Sequence, residues 1–286
     1  MSAGDHSHGA APVVPPRRTR ITLSPELTAK DQRSRLRTIL VVSGKGGVGK
    51  STVSVNLAAA LAARGYATAL VDADIYGASV PRMLNAFEKP LTFGSQLVPV
   101  ERHGVKLMSL GLFFPEDAPL VVRGPIMHNT VRQMLEEVSW GEPDYLIVDL
   151  PPGTGDVAIS VAETVPGSAM IVVTTPQMVA SKVAIRAAKM ASVGELRPIG
   201  VVENMSYFVT PQGETIEIFG SGGGEELATE LNVPLLGRVP LEAAVRQAGD
   251  EGNPVVVQFP DSPAGQAFVA IAEQVERIEP PPNKKR

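Results

Sequence analysis

Residues 44–52 read Gly-Lys-Gly-Gly-Val-Gly-Lys-Ser-Thr, and no other stretch restricts the fold of this chain as strongly. The run satisfies GxxxxGK[ST]. It follows an unbroken apolar, β-branched segment at 38–43 and precedes residues 51–64, where apolar side chains recur at helical spacing. Strand, glycine-rich loop and helix in that order aim backbone N–H groups at one point, at the positive end of a helix, where phosphate oxygens are held. In this reading Gly44, Gly46, Gly47 and Gly49 let the backbone turn inward, with Lys45 and Val48 between them. Lys50 places a cation at the β- and γ-phosphates, the Ser51 hydroxyl ligates Mg²⁺, and Thr52 closes the motif.

The same alternation recurs downstream. Apolar runs at 67–71, 145–148, 169–174, 199–202 and 235–239 read as strands, with helical patterns between most of them. Several of the 27 glycines and 25 prolines lie at the borders of these runs, where turns belong. Continuous apolar strands alternating with helices predict a three-layer α/β fold, a mainly parallel sheet covered by helices on both faces. Residues 91–110 look instead like two short strands around a Glu-Arg-His-Gly turn, an excursion from that pattern. The run from Gly220 to Gly224 suits an anion-binding nest, or more commonly a flexible turn before a helix that begins near Glu225. A domain over 35–279 is expected, preceded by a flexible Pro/Arg-rich arm at 1–34 and followed by a short basic tail at 280–286.

Composition removes several functions. With 26 Lys and Arg against 30 Asp and Glu, a net charge of −4 gives no electrostatic footprint for nucleic acid. No apolar run approaches the ~18 residues that span a bilayer, and the first residues lack the basic-then-apolar order of a signal peptide, so a cytoplasmic protein is expected. Phe268, Ile271, Ala272, Val275 and Ile278 share one face of a final helix, but its polar side carries Glu273, Glu276 and Glu279 rather than a basic row, which marks a core face and not a membrane anchor. The chain has no cysteine, so a disulfide, a thiol nucleophile and any Cys-ligated metal centre are excluded. His6 and His8 alone lack the further ligands of a metal site.

Two groups of carboxylates complement the loop. Asp149 follows the strand at 145–148, where an acid holds Mg²⁺ through water beside a phosphate loop. The sequence Pro-Pro-Gly-Thr-Gly-Asp at 151–156 is stiff at its start and hinged at its end, as a γ-phosphate sensor requires, although Asp156 alone equally suits a helix cap. Asp72 and Asp74 end the strand at 67–71, on the edge where open α/β sheets bind ligands, and either can position an attacking water.

Lys45, directly after the first glycine, gives the loop the deviant form KGGxGK[ST], which resembles the MinD/ParA group of P-loop ATPases, the SIMIBI class. Together with VDADIYGASVPRML, RGPI, DLPPGTGD, VENMSYF, FGSGGGEELA and VPLEAAVRQAGDEGNPVV, from about residue 38 to 257, the chain resembles the Mrp/Nbp family of ATP-hydrolysing iron–sulfur cluster carriers. That resemblance implies a homodimeric, Mg²⁺-dependent, slow ATPase in which Lys45 reaches the nucleotide of the other subunit. It implies that Asp74 is the switch I acid orienting the hydrolytic water and that 149–156 form switch II. It also implies that Asn204 and the backbone around Arg238 and Pro240 hold the adenine.

The sequence departs from the family at one point. Cluster carriers have a CxxC shortly after the ENMS motif, shared across the dimer, whereas this chain reads Phe208-Val209-Thr210-Pro211-Gln212-Gly213-Glu214 there. Oxygen ligands such as Glu214 do not replace soft thiolate sulfur. Three accounts stay open: an ATP switch without a cluster, a cluster held mainly by an assembly partner, or another client protein. The reading from a different class is a MinD- or ParA-like positioning ATPase that cycles on a membrane or nucleoid. Arg123 in the RGP block is a further contact candidate, for nucleotide or client.

Overall fold

The computed structural model describes residues 36–74, 79–94, 96–113, 124–153, 161–177, 180–193 and 195–281. The arm at 1–34, with His6 and His8, lies outside them, as do Arg123, Asp156 and the last five residues. The strands are β1 (Arg37–Ser43), β2 (Thr68–Asp72), β3 (Leu91–Phe93), β4 (Gln96–Val98), β5 (Val100–Arg102), β6 (Val105–Ser109), β7 (Tyr145–Asp149), β8 (Ala169–Thr174), β9 (Arg197–Glu203), β10 (Phe208–Val209), β11 (Thr215–Ile216) and β12 (Leu235–Arg238). The helices are α1 (Lys50–Ala63), α2 (Val80–Met83), α3 (Gly124–Glu136), α4 (Ala180–Val193), α5 (Gly223–Glu230), α6 (Ala243–Glu251), α7 (Val255–Gln258) and α8 (Pro263–Ile278).

Eight strands form one sheet in the order β12-β9-β8-β1-β7-β2-β6-β5, parallel throughout except for β5. Because side chains alternate along a strand, the apolar run of β1 serves two cores at once. Ile39 and Val41 join Leu57, Leu61, Phe268 and Ile271 of α1 and α8 on one face. Leu40 and Val42 join Met134 of α3, Met190 of α4 and Leu227 of α5 on the other. The expected three-layer α/β fold is present. Each fully buried Leu or Phe in these layers contributes about 1.5–3 kcal/mol. β1 leads through α1 to β2, passing over the position of β7, while β8 lies on the other side of β1. The chain therefore diverges around the end of β1, where doubly wound sheets place their ligands.

Two local readings are corrected. β5 and β6 do flank a tight turn, with His103 and Gly104 at φ 51° and 73°, but β6 is no excursion: it pairs in parallel with β2 inside the main sheet. A second hairpin, β3–β4, precedes it. The glycines before Glu225 are also not simply a flexible turn. Gly223 and Gly224 belong to the first turn of α5, and a Cβ on Gly223 would stand 2.5 Å from the carbonyl oxygen of Pro176. Glycine is needed there for close approach.

α8 begins where Ser262 Oγ accepts the Gly265 N–H, with Pro263 at the first helical position. Of its apolar stripe, Phe268, Ile271, Ala272 and Val275 are wholly buried in the core, as the spacing predicts, and Ile278 is partly buried against it. Arg64, after α1, binds Glu273 and Glu276 on its other side. Beneath these ion pairs the rings of Tyr66 and Tyr145 meet edge to face at 5.2 Å, and the Tyr145 hydroxyl donates to the Glu279 carbonyl at 2.9 Å.

Burial, then the neighbouring Tyr66, Glu276 and Asp144, raises the Tyr145 pKa well above that of a free phenol. The folded state thus keeps this proton longer than the unfolded chain does. The stabilisation is complete below the unfolded value of about 10 and declines as pH rises from there. Urea denaturation between pH 8 and 11 should show the unfolding midpoint falling above pH 10 and falling less in Tyr145→Phe. Equal slopes would show that another group carries the alkaline transition.

Candidate nucleotide site

The loop from Gly44 to Gly49 joins β1 to α1 at the C-terminal edge of the sheet. Gly47 and Gly49 have φ of 78° and 80°, the left-handed region that glycine enters without a Cβ clash. Gly49 caps α1 without a side-chain hydrogen bond, so the capping residue itself does not occupy the first N–H groups of that helix. A Cβ on Gly46 or Gly47 would meet no atom within 4 Å, which leaves the outer side of the loop open. An open, glycine-rich loop at a helix N-terminus fits a phosphate chain.

The loop is braced from behind. Arg186 of α4 donates to the Gly44 carbonyl at 2.6 Å, and Val183 packs where a Gly44 Cβ would be, 2.5 Å from its Cγ2. Asn204 Nδ2 donates to the Val48 carbonyl at 2.9 Å and lies 2.1 Å from where a Gly49 Cβ would stand. Gly44 and Gly49 are thus fixed by side chains more than a hundred residues away.

At the head of α1 the polar groups converge on Asp149, which is fully buried. Its Oδ1 accepts from Lys50 Nζ and from Ser54 Oγ, each at 2.7 Å, and its Oδ2 accepts from Ser51 Oγ at 2.6 Å. Lys50 Nζ also stands 3.6 Å from Asp74 Oδ2. A hydroxyl and a carboxylate side by side are hard oxygen donors of the kind that bind Mg²⁺ together with substrate phosphates, so Ser51 and Asp149 fit that ion.

Asp72 and Asp74 separate in space. In register, Asp72 lies between Asp149 on β7 and Ser109 on β6. Its oxygens accept from Ser109 Oγ at 2.8 Å and from the Asp74 N–H at 3.1 Å. Burial, and next the Asp149 carboxylate, push its pKa well above the usual carboxylate range, so its charged form is disfavoured inside the sheet. Asp74 is the one that reaches Lys50 and, at 14% exposure, also reaches solvent.

The remaining sequence candidates are placed as follows. Lys45 Nζ donates to Gln177 Oε1 of the same chain at 2.7 Å, in an exposed position. Arg238, at the end of β12, pairs with Glu203 at 3.5 Å and Glu225 at 2.8 Å, and Pro240 is buried beside it. The turn after β9 and the strand leaving β12 are joined by the Ser206 N–H to Val239 carbonyl bond at 2.9 Å and the Leu241 N–H to Tyr207 carbonyl bond at 2.7 Å. Ser54, Ser109, Gln177, Arg186 and Glu203 were not legible as site residues from the motifs. Ser54 alone carried a signal: it is a hydroxyl one helical turn after Lys50, on the same helix face.

Where cluster ligands would stand, β10 and β11 pair Phe208 with Ile216, and Val209, Ile216 and Ile218 are exposed. The sequence has no cysteine, and among the described residues no group of three or more His, Asp or Glu is arranged to hold a metal ion. These donors do not fit an iron–sulfur cluster. Among the described residues, no helix is long and apolar enough to cross a membrane.

Fold and loop together define a P-loop NTPase with a MinD/ParA-type sheet. Residues 35–276 match the family model for the ParA, NUBPL iron-transfer P-loop NTPases. The iron–sulfur cluster carrier protein of Mycobacterium leprae is 46% identical over 255 residues, 87% of this chain and 67% of that protein. Its counterpart in Bacillus subtilis is 48% identical over 239 residues, covering 83% and 67%. Among solved structures, a nucleotide-binding protein from Archaeoglobus fulgidus in complex with ADP aligns with a TM-score of 0.72 at 33% identity, over 85% of this chain and 98% of that one. MinD from Pyrococcus horikoshii, complexed with Mg-ADP, aligns at 0.65 and 24% identity over 87% and 99%, which shows a shared fold. The chain belongs to the iron–sulfur cluster carrier family of P-loop NTPases.

Proposed function

We propose that the chain is a Mg²⁺-dependent ATPase that works as a homodimeric switch and regulates a client or an iron–sulfur assembly partner through its nucleotide state. The convergence of Lys50, Ser51 and Asp149 at the head of α1 carries this reading. The N–H groups of the loop hold the phosphate chain, and Lys50 turns from Asp149 toward the β- and γ-oxygens. Ser51 and Asp149 would hold Mg²⁺, which offsets charge on the transferring phosphoryl group. Asp74 orients the water that attacks the γ-phosphorus, and ADP leaves. Asn204 and the backbone around Arg238 and Pro240 hold the adenine, and Lys45 leaves Gln177 to reach the nucleotide of the second subunit.

The missing thiolates make nucleotide-driven regulation, not cluster carriage, the reading for this chain. Its test is anaerobic incubation of the purified protein with iron and sulfide, followed by desalting and measurement of bound iron, beside phosphate release from ATP with and without Mg²⁺. The expected result is slow Mg²⁺-dependent hydrolysis with no retained iron. Iron held at cluster stoichiometry would overturn the cargo-free reading. Absence of hydrolysis by an ATP-binding, folded protein would overturn the ATPase.

A further inference from the structure

Glu203 is a carboxylate with 1% exposure that no step above employs. A charge buried this deeply persists only where donors surround it, so its partners show what it holds in place. There are three, from three segments. Gly224 N–H, in the first turn of α5, donates to Oε2 at 2.6 Å. Ser206 Oγ donates to Oε1, and the Arg238 guanidinium lies 3.5 Å from the same oxygen. The backbone of Glu203 adds a fourth link, because its carbonyl accepts the Val239 N–H at 2.8 Å.

Each link sets something at the proposed base side of the nucleotide site. Between Glu203 and Ser206 the chain passes through Asn204 and then Met205, whose φ of 55° is unusual for a residue with a long side chain. The Ser206 bond closes that turn and so keeps Asn204 turned toward the Val48 carbonyl. Arg238 and Val239 begin the segment that leads to Pro240. Gly224 shows that the arrangement is built in: a Cβ there would stand 2.7 Å from Glu203 Oε2, so glycine is what admits the carboxylate to the helix N-terminus.

We infer that Glu203 is the positioning residue of the adenine side of the site, one buried carboxylate to which the Asn204 turn, the first turn of α5 and the 238–240 segment are all fastened. The inference rests on the proposed nucleotide reading and adds a residue to it. Glu203 touches no substrate. Its effect is larger on affinity for the base than for the phosphates, because the loop loses only the Asn204 brace at Val48 and Gly49 and stays fixed at Gly44 by Arg186 and Val183.

The test is isothermal titration of the full chain with Mg-ATP and with Mg-tripolyphosphate, which carries the phosphates without the base. Glu203→Ala and Ser206→Ala are compared with wild type, and melting temperatures are recorded. The expected result is an ATP Kd raised about tenfold in Glu203→Ala, and about threefold in Ser206→Ala, where a single neutral hydrogen bond is lost. Tripolyphosphate affinity should fall by less than ATP affinity in both, so that the ratio of the two changes. Glu203→Gln keeps an acceptor for the Gly224 N–H and should recover part of the loss, which covers the case in which Glu203→Ala does not fold. An unchanged ratio of ATP to tripolyphosphate affinity in the folded variants, whatever happens to the melting temperature, overturns the positioning role and leaves the nucleotide reading standing. Wild-type protein that binds neither ligand overturns both.

Discussion

Lys50→Ala should lower ATP turnover by about a thousandfold, equivalent to about 4 kcal/mol of transition-state stabilisation. The ammonium group is 6% exposed, among the Asp149 carboxylate at 2.7 Å, the Ser51 hydroxyl at 3.3 Å and Asp74 at 3.6 Å. At the head of α1, between the loop and the Mg²⁺ ligands, it is placed to follow negative charge as it moves onto the leaving oxygen. The same variant should also be less stable without nucleotide. Asp149 would keep its Ser51 and Ser54 donors but lose its cation, and breaking a buried pair from one side costs about 3–5 kcal/mol. Phosphate release and the urea midpoint therefore have to be read on the same preparation. A folded Lys50→Ala protein with wild-type turnover would take the lysine out of the chemistry.

What was legible before the structure was what is encoded locally. The order of apolar run, glycine-rich loop and helix locates the loop, because each part carries its own spacing within some thirty residues. Asp149 was legible because a strand that is apolar on both faces and then ends in an acid must bring that acid to the sheet edge. β6 was misread because a short strand paired to β5 through a tight turn looks like half of a hairpin; its partnership with β2 depends on the Asp72–Ser109 register, which no local pattern states. The glycines at 223 and 224 were misread for a related reason. In sequence a glycine run signals freedom, while here the limiting atoms belong to Pro176 and Glu203. Arg186 and Gln177 carried no signal, since each acts by touching the loop from a helix or turn far along the chain.

The choice between Asp72 and Asp74 was open in the sequence, and geometry bears on it through a second large effect. Asp74→Ala should bind Mg-ATP about as tightly as wild type yet hydrolyse it at least about a hundredfold more slowly, as when a group that positions or deprotonates water is removed. Binding should survive because Lys50 keeps Asp149 at 2.7 Å, and the backbone N–H of residue 74 still donates to Asp72. Asp72 cannot substitute. It is 1% exposed and committed to Ser109 and that N–H, and burial beside Asp149 disfavours its charged form. Asp74→Asn separates the two ways an acid can handle water. If the amide retains much of the rate, Asp74 acts by orienting the nucleophile through a hydrogen bond; if it is as slow as alanine, the carboxylate's charge or its capacity to accept the proton is required. Asp74→Ala, slowed in hydrolysis, should accumulate in its ATP-bound form, and under the homodimer reading size-exclusion chromatography with ATP should show it as a dimer. Nucleotide binding with unchanged turnover would remove Asp74 from its role, and an ATP-loaded monomer would remove the need for Lys45 to leave Gln177.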